Sequence, residues 1–105
     1  MFRTPDQKKT HCTSCPIAKT ADLVGDTVVL LIVRNLLLSP QRFTDLALSL
    51  QGVSSRTLTS KLKFLTEVDV VTKDKKNDSY YTLTQKGAAL TTLITDMEKY
   101  GKKYL

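Results

Sequence analysis

Residues Val53 to Val68 have the sequence VSSRTLTSKLKFLTEV, and this stretch decides how the rest of the chain is interpreted. Leu58, Leu62 and Leu65 recur at the spacing of one face of an α-helix. The opposite side carries cations and small hydroxyl groups and no acid, at Arg56, Thr59, Ser60 and Lys63. Such a face suits the phosphates and base edges of a DNA major groove. An ordinary amphipathic surface helix shows the same pattern, so the flanking sequence must decide between the two.

The residues before this helix predict a second helix and a tight turn. Thr44 is the expected cap of a helix from Asp45 to Leu50, and Gly52 supplies a turn residue that tolerates left-handed backbone. Ser54 is placed to cap the central helix, which is predicted over residues 54–67. Helix, short turn and helix with a polar outer face form the helix-turn-helix pattern.

The residues after this helix predict a β-hairpin. Alternating β-branched residues from Val68 to Lys73 indicate one strand, and residues 79–83 indicate the returning strand. The charged segment between them contains Asn77-Asp78, which favours a turn. The hairpin, residues 69–83, is the wing of a winged helix-turn-helix. The predicted fold class is therefore mainly α with a small β-hairpin wing (α+β).

Two further helices are predicted near the N-terminus. Pro16 suits the first turn of a short helix that ends at Gly25, and Asp26 then caps a helix over residues 27–38. The second segment is rich in valine and isoleucine and would also suit a strand, but its length and its caps favour a buried helix. Residues 41–43 are expected to be a linker or one short strand of the sheet.

A single long helix is predicted after its cap at Thr84, with Gly101 loosening its end. Its apolar stripe extends beyond what so small a domain can cover, which predicts a second copy packed on it and on the first helix. Tyrosines along this part of the chain are expected to pack rather than to stack on single-stranded bases. The stripe and these tyrosines are Leu90, Leu93, Ile94, Met97, Tyr100 and Tyr104, with Tyr80 and Tyr81 in the hairpin.

Chain length and net charge limit the number of domains and the kind of binding partner. The chain has 105 residues and a formal net charge of +6, which suits one domain that is attracted to polyanions. Residues 1–13 are expected to be a flexible arm, loose or following DNA, and residues 14–105 one domain. The apolar run at 28–38 contains Arg34 and Asn35 and is too short to span a bilayer, so we expect a soluble cytoplasmic protein with no membrane partner.

In order and spacing, several motifs resemble the HxlR-type winged helix-turn-helix transcriptional regulators of bacteria and archaea. The motifs are Cys15-Pro16-Ile17, residues 30–46, residues 52–65 and residues 81–87, which together cover most of the chain. Two features depart from the family pattern. Gly25-Asp26-Thr27-Val28 replaces a step that usually contains tryptophan, and the wing is shorter and rich in lysine.

The resemblance implies a homodimer that binds double-stranded DNA at a pseudo-palindromic operator, with one recognition helix per half-site. Arg56 is the first choice for a base contact and Lys63 for a phosphate contact. Candidate contacts also include Thr59 and Ser60, and Ser54 and Ser55 at the start of the helix. Arg42 is either a phosphate ligand or a surface arginine. Likewise, the wing lysines either bind phosphate or form a solvated turn: Lys73, Lys75 and Lys76.

Cys12 and Cys15 allow three interpretations. Cys15 either caps the first helix or, at a helix N-terminus that favours the thiolate, acts in a thiol switch with Cys12 or with another chain. In several members of the resembled family the cysteine at the position of Cys15 senses oxidants or electrophiles. The Cys-x-x-Cys spacing also suits half a zinc site, but His11 is the only histidine, so no metal and no other cofactor is expected.

Two other functions compete with DNA binding. The first is a winged-helix module that binds proteins through its last helix and has no DNA role. The second is an enzyme, which we reject because the sequence has no Ser/His/Asp set, no glycine-rich phosphate loop and no complete metal set. The predicted function is a dimeric, sequence-specific, DNA-binding transcriptional regulator, with a response to thiol chemistry at Cys15 as an open hypothesis.

Overall fold

A computed structural model of the chain describes residues 15–105. The predicted arm, with His11 and Cys12, lies outside the described residues. The elements run in the order α1 (Pro16–Val24), α2 (Thr27–Leu38), β1 (Gln41–Arg42), α3 (Phe43–Ser49), α4 (Ser55–Glu67), β2 (Val71–Lys73), β3 (Tyr80–Leu83), α5 (Gln85–Ala88) and α6 (Thr91–Tyr104). Helix, turn, helix and hairpin follow one another as the sequence predicts, so the fold class is confirmed.

The α2 segment is a helix, which settles the choice between helix and strand. Asp26 caps it through a side-chain oxygen that accepts hydrogen bonds from the amides of Val28 and Val29, at 2.8 and 3.2 Å. Its inner residues are buried at the centre of the domain, and burial outweighs the weak helix propensity of β-branched side chains. These core residues are Val29, Ile32, Val33 and Leu36.

The predicted start of α3 is wrong by two residues. The helix begins at Phe43, and Arg42 rather than Thr44 is the capping position. The carboxylate of Asp45 accepts a hydrogen bond from the Arg42 amide at 3.0 Å. Arg42 is extended because it pairs with Tyr80 in the sheet. This long-range pairing sets the residue at which α3 begins, and a local sequence pattern carries no information about it.

The turn before α4 and the start of α4 agree with the prediction. Gly52 has a φ of +96°, a left-handed conformation that glycine adopts without strain. The hydroxyl of Ser54 accepts a hydrogen bond from the Thr57 amide at 3.1 Å and caps α4. The predicted apolar stripe faces the core, with Leu58, Leu62 and Leu65 at most 2% exposed.

The first strand of the wing begins three residues later than predicted. The amides of Val68 and Val70 donate to the carbonyls of Phe64 and Leu65 at 3.0 and 2.9 Å, so these residues close the end of α4. Asp69 between them has a φ of +65°. Strand β2 therefore starts only at Val71.

The sheet is antiparallel, with three strands in the order β1–β3–β2. Val71 pairs with Leu83 and Lys73 with Tyr81, and β1 adds the pair Gln41 with Tyr81 on the other side of β3. The hairpin tip has the predicted turn chemistry, because the side chain of Asn77 accepts a hydrogen bond from the Ser79 amide at 3.1 Å. The short strand expected before α3 is thus part of the wing sheet.

The predicted last helix is divided into α5 and α6. Thr84 does cap α5, since its hydroxyl accepts a hydrogen bond from the Gly87 amide at 3.1 Å. The same hydroxyl lies 2.6 Å from the carbonyl of Asp69, and the Thr84 amide donates to the carbonyl of Val70 at 3.0 Å. These contacts fix the direction of α5, and the chain turns at Leu90, whose amide bonds three residues back to Gly87.

Helix α6 continues through Gly101 to Tyr104, so the expected loosening at Gly101 does not occur. Leu93 and Ile94 are half-buried, and no α6 residue is fully buried. The stripe continues outward through Met97, Tyr100 and Tyr104, which are 46%, 61% and 63% exposed. Most of this apolar face therefore has no cover within the described part of the chain.

Replacing Gly87 with alanine should destabilise the domain. A Cβ atom there would lie 2.3 Å from the Val70 carbonyl oxygen and 3.0 Å from a methyl group of Leu83. We expect Gly87→Ala to lower the free energy of unfolding by about 1–3 kcal/mol, measured by urea denaturation. Gly101→Ala is the matched control: it meets nothing within 4 Å and should stabilise α6 by up to about 1 kcal/mol. Equal stability of the two variants would contradict this role of Gly87.

Candidate nucleic-acid interface

Helix α4 presents the predicted polar residues together on its solvent side. Arg56, Thr59, Ser60 and Lys63 are all exposed, and we call them the outward face. The buried leucines hold the opposite side of α4 against the core. The outward face thus combines two cations with two hydroxyl groups on one rigid helix, which suits hydrogen bonding to phosphate and base edges.

The two serines at the start of α4 differ in what they can offer to a ligand. The hydroxyl of Ser54 caps the helix and lies 3.0 Å from the hydroxyl of Thr57, so it is already used inside the domain. Ser55 is the first residue of α4 and is exposed. Its hydroxyl, near amide groups at a helix N-terminus, has the chemistry of a phosphate ligand.

Arg42 is exposed at the capping position of α3, and its side chain is held by its neighbours. Its guanidinium lies 3.3 Å from both carboxylate oxygens of Asp45 and 5.7 Å from the centre of the Tyr80 ring. The hydrogen bond to Asp45 raises the pKa of Arg42, and hydrogen bonds from the backbone and side chain of Arg42 lower the pKa of Asp45. Both groups therefore stay charged, and their charges largely cancel.

The wing lysines are exposed, in two different settings. The ammonium of Lys73 lies 4.4 Å from the centre of the Tyr81 ring, a cation–π contact that orients its side chain along the sheet. Lys75 and Lys76 lie in the hairpin turn. Neither tip lysine has a described ion pair, so the wing offers two cations on the same molecule as the outward face.

Cys15 occupies the capping position before α1 and is half-buried. Its side chain makes no capping hydrogen bond, so the interpretation as a hydrogen-bonding cap is not supported. It is a free thiol among the residues that the structure describes. The proposed partners of Cys15 in a thiol pair or a metal site, Cys12 and His11, lie outside that part. Within residues 15–105 no three metal-binding side chains come together.

Lys61 has a role that the sequence did not suggest. Its ammonium lies 2.6 Å from a carboxylate oxygen of Asp26, the residue that caps α2. Partial burial raises the pKa of Asp26, but the hydrogen bonds from Lys61 and the α2 amides outweigh it, so the pKa is lowered. The available signal was the place of Lys61 on the helical wheel, beside the leucine stripe. Nothing in the sequence indicated that Asp26, 35 positions earlier, would pair with Lys61.

Comparison with known proteins agrees with the fold. A family model described as HxlR-like helix-turn-helix matches residues 23–105. An uncharacterised HTH-type transcriptional regulator of Bacillus subtilis strain 168, YvaP, is 32% identical over 96 residues, which cover 87% of this chain and 89% of YvaP. The HTH-type transcriptional regulator YodB of the same organism is 28% identical over 97 residues, which cover 88% of this chain and 87% of YodB.

Solved structures show the same architecture. The crystal structure of quinone-bound YodB matches with a TM-score of 0.76 at 27% identity, covering 86% of this chain and 100% of that one. A putative MarR-family regulator from Porphyromonas gingivalis W83 matches with a TM-score of 0.82 at 24% identity, covering 90% and 97% of the two chains. The second likeness concerns the fold alone.

Within residues 15–105, no helix has the length and apolar character needed to cross a bilayer. The two Bacillus subtilis relatives named above are HTH-type transcriptional regulators. The family model spans α2 to α6 and so includes the complete helix-turn-helix and its wing. This chain belongs to the HxlR-like helix-turn-helix family.

Proposed function

We propose that this protein is a homodimeric transcriptional regulator that binds double-stranded DNA at a pseudo-palindromic operator. The observation that carries the proposal is the outward face of α4, with cations and hydroxyl groups on one side and buried leucines on the other. Helix α4 enters the major groove, as the second helix of a helix-turn-helix does. The formal net charge of +6 adds long-range attraction to DNA.

Different residues of the outward face contact the bases and the phosphates. Arg56, in the first turn of α4, contacts a guanine, because its planar guanidinium matches the two acceptors of that base. Thr59 and Ser60 reach neighbouring base edges. Lys63, one turn beyond Thr59 and Ser60, contacts the phosphate backbone. The hydroxyl of Ser55 contacts the phosphate backbone as well. Ser54 acts through its cap of α4 rather than by direct contact.

The wing and Arg42 contact the flanking backbone with different strengths. Lys75 and Lys76 lie at the hairpin tip without an ion pair among residues 15–105 and neutralise phosphates, while Lys73 contributes from its position over the Tyr81 ring. Arg42 is a weaker phosphate ligand, because Asp45 already compensates its charge. For Arg42 to bind a phosphate, Asp45 would have to separate from Arg42 or remain close to the negatively charged DNA, and either costs binding free energy.

The second copy packs on the apolar stripe of α6 and on α1. Met97, Tyr100 and Tyr104 line the exposed part of the stripe, and Ile17 on α1 is 80% exposed. Such large apolar side chains on two helices are typical of an interface between copies. A twofold dimer then places two α4 helices against two half-sites.

Cys15 makes the regulator responsive to electrophiles. It is a free, half-buried thiol at the capping position before α1, and α1 belongs to the proposed dimer interface. One relative, YodB, is known in a quinone-bound form. The Cys15 thiolate adds to a ring carbon of the quinone, and the resulting enolate takes a proton from water. The bulky adduct alters the packing of α1 and thereby the spacing of the two α4 helices.

Arg56→Ala and Lys63→Ala should weaken DNA binding in different ways. Arg56→Ala should reduce affinity for a selected operator by about 1–3 kcal/mol and relax its preference over random duplex. Lys63→Ala should weaken both duplexes alike and reduce the salt slope by about one. Fluorescence anisotropy over a salt series measures both effects. Absence of DNA binding by the wild type at low salt would instead favour a protein-interaction module.

Tyr100→Lys should convert the dimer into monomers without unfolding it, because Tyr100 is 61% exposed within one chain. Twofold symmetry would bring one new lysine from each copy into the same apolar interface, and burying these unpaired like charges is strongly unfavourable. Thr95→Lys adds the same charge on the opposite, exposed side of α6 and should leave the dimer intact. Light scattering after size-exclusion chromatography gives the mass. A monomeric wild type, or dissociation of both variants, would contradict the proposed interface.

Treatment with a quinone should lower operator affinity about fivefold or more in the wild type. Cys15→Ser should bind the operator normally and lose the response, whereas Cys12→Ser should keep it. Anisotropy measures affinity, and mass spectrometry identifies the adduct. An undiminished response in Cys15→Ser would place the sensing elsewhere.

A further inference from the structure

One ion pair joins the DNA-binding helix to the core helix behind it. The ammonium of Lys61 lies 2.6 Å from one carboxylate oxygen of Asp26. The other carboxylate oxygen of Asp26 accepts hydrogen bonds from the Val28 and Val29 amides that begin α2. Because the α2 backbone itself holds Asp26, Lys61 is bound to a fixed point of the domain.

Lys61 differs from the residues of the outward face. It is half-buried, with 32% of its side chain exposed, whereas Arg56, Thr59, Ser60 and Lys63 are exposed. On a helical wheel it follows Leu58 by three residues and so lies beside the buried stripe. The contact with Asp26 directs its ammonium toward α2, away from the side that faces DNA.

The leucines alone do not fix the orientation of α4. Apolar burial is non-directional, so a helix can roll on such a stripe by several degrees at small cost. The end of α4 is tied by Lys86, whose ammonium donates to the Val68 carbonyl at 2.7 Å. The contact between Lys61 and Asp26 is directional and lies near the middle of α4, level with the residues of the outward face.

We propose that Asp26 and Lys61 form a positioning pair that sets the rotation of α4 and thereby the specificity of base contacts. Lys61 does not contact DNA in this role. It acts through Arg56, Thr59 and Ser60, whose hydrogen bonds to bases require placement within about 0.5 Å. The inference rests on the proposed function and identifies residues that determine its specificity.

The test compares Lys61→Met and Asp26→Asn with Lys63→Met as the matched control. Methionine keeps the length of the lysine side chain and removes its charge, and asparagine still caps α2. Anisotropy titrations of the full-length protein use a selected operator and a random duplex over a salt series. The two measured quantities are the ratio of the affinities and the salt slope.

Lys61→Met and Asp26→Asn should each lower the affinity ratio by about twofold to tenfold and leave the salt slope unchanged. The double variant should be no worse than either single one, because both remove the same contact. Lys63→Met should lower the slope by about one and leave the ratio nearly unchanged. A slope lowered by Lys61→Met would show that Lys61 binds phosphate, and would overturn the proposal.

Unfolding curves of the same variants separate positioning from stability. A purely structural pair would change the unfolding midpoint and leave the affinity ratio of the folded protein untouched, which would also overturn the proposal. If the wild type shows no preference for the operator, the proposed function fails and the positioning role fails with it. If the wild type is specific and the variants match it, only the positioning role fails.

Discussion

The burial of Leu58, Leu62 and Leu65 is the constraint on which the rest of the structure depends. Each leucine contributes about 1.5–3 kcal/mol when it leaves water, and together they hold α4 against α2 and the sheet. Because a helix carries its side chains in a fixed rotational order, burying this stripe obliges the residues on the other side to face solvent. The surface proposed to bind DNA is therefore a geometric result of core packing, and the turn at Gly52 and the hairpin lie on either side of α4 in the chain.

The elements that the sequence predicted well are those with local causes. Helix α2 follows from its cap at Asp26 and its apolar length, and α4 follows from Ser54 and the leucine spacing. The wrong boundaries have distant causes. The start of α3 depends on Arg42 pairing with Tyr80, and the division of α5 from α6 depends on contacts of Thr84 with the end of α4. No periodicity within a short window contains such partners.

In the candidate site, too, features with local causes were predictable from the sequence and features with distant causes were not. Exposure of the outward face was predictable because it is the complement of a buried stripe. The state of Arg42 was partly predictable, since an acid three residues later at a helix start is a common partner. The contact of Lys61 with Asp26 was not, because it joins residues from two helices whose packing angle only the folded chain sets. In the proposed positioning role, Lys61 is not one more cation of a basic helix but a determinant of where the other cations of α4 point.

The contact of Gly87 with the Val70 carbonyl has a consequence for the length of the DNA site. This contact, with the bonds from Thr84 and Lys86, joins α5 to the end of α4 without room for an intervening side chain. Helix α6 follows α5 directly after the turn at Leu90, so in the proposed dimer the crossing of the two α6 helices would be coupled to the separation of the two α4 helices. In that dimer, the protein would set the number of base pairs between the two half-sites, and the absence of a Cβ atom at position 87 would keep this spacing constant.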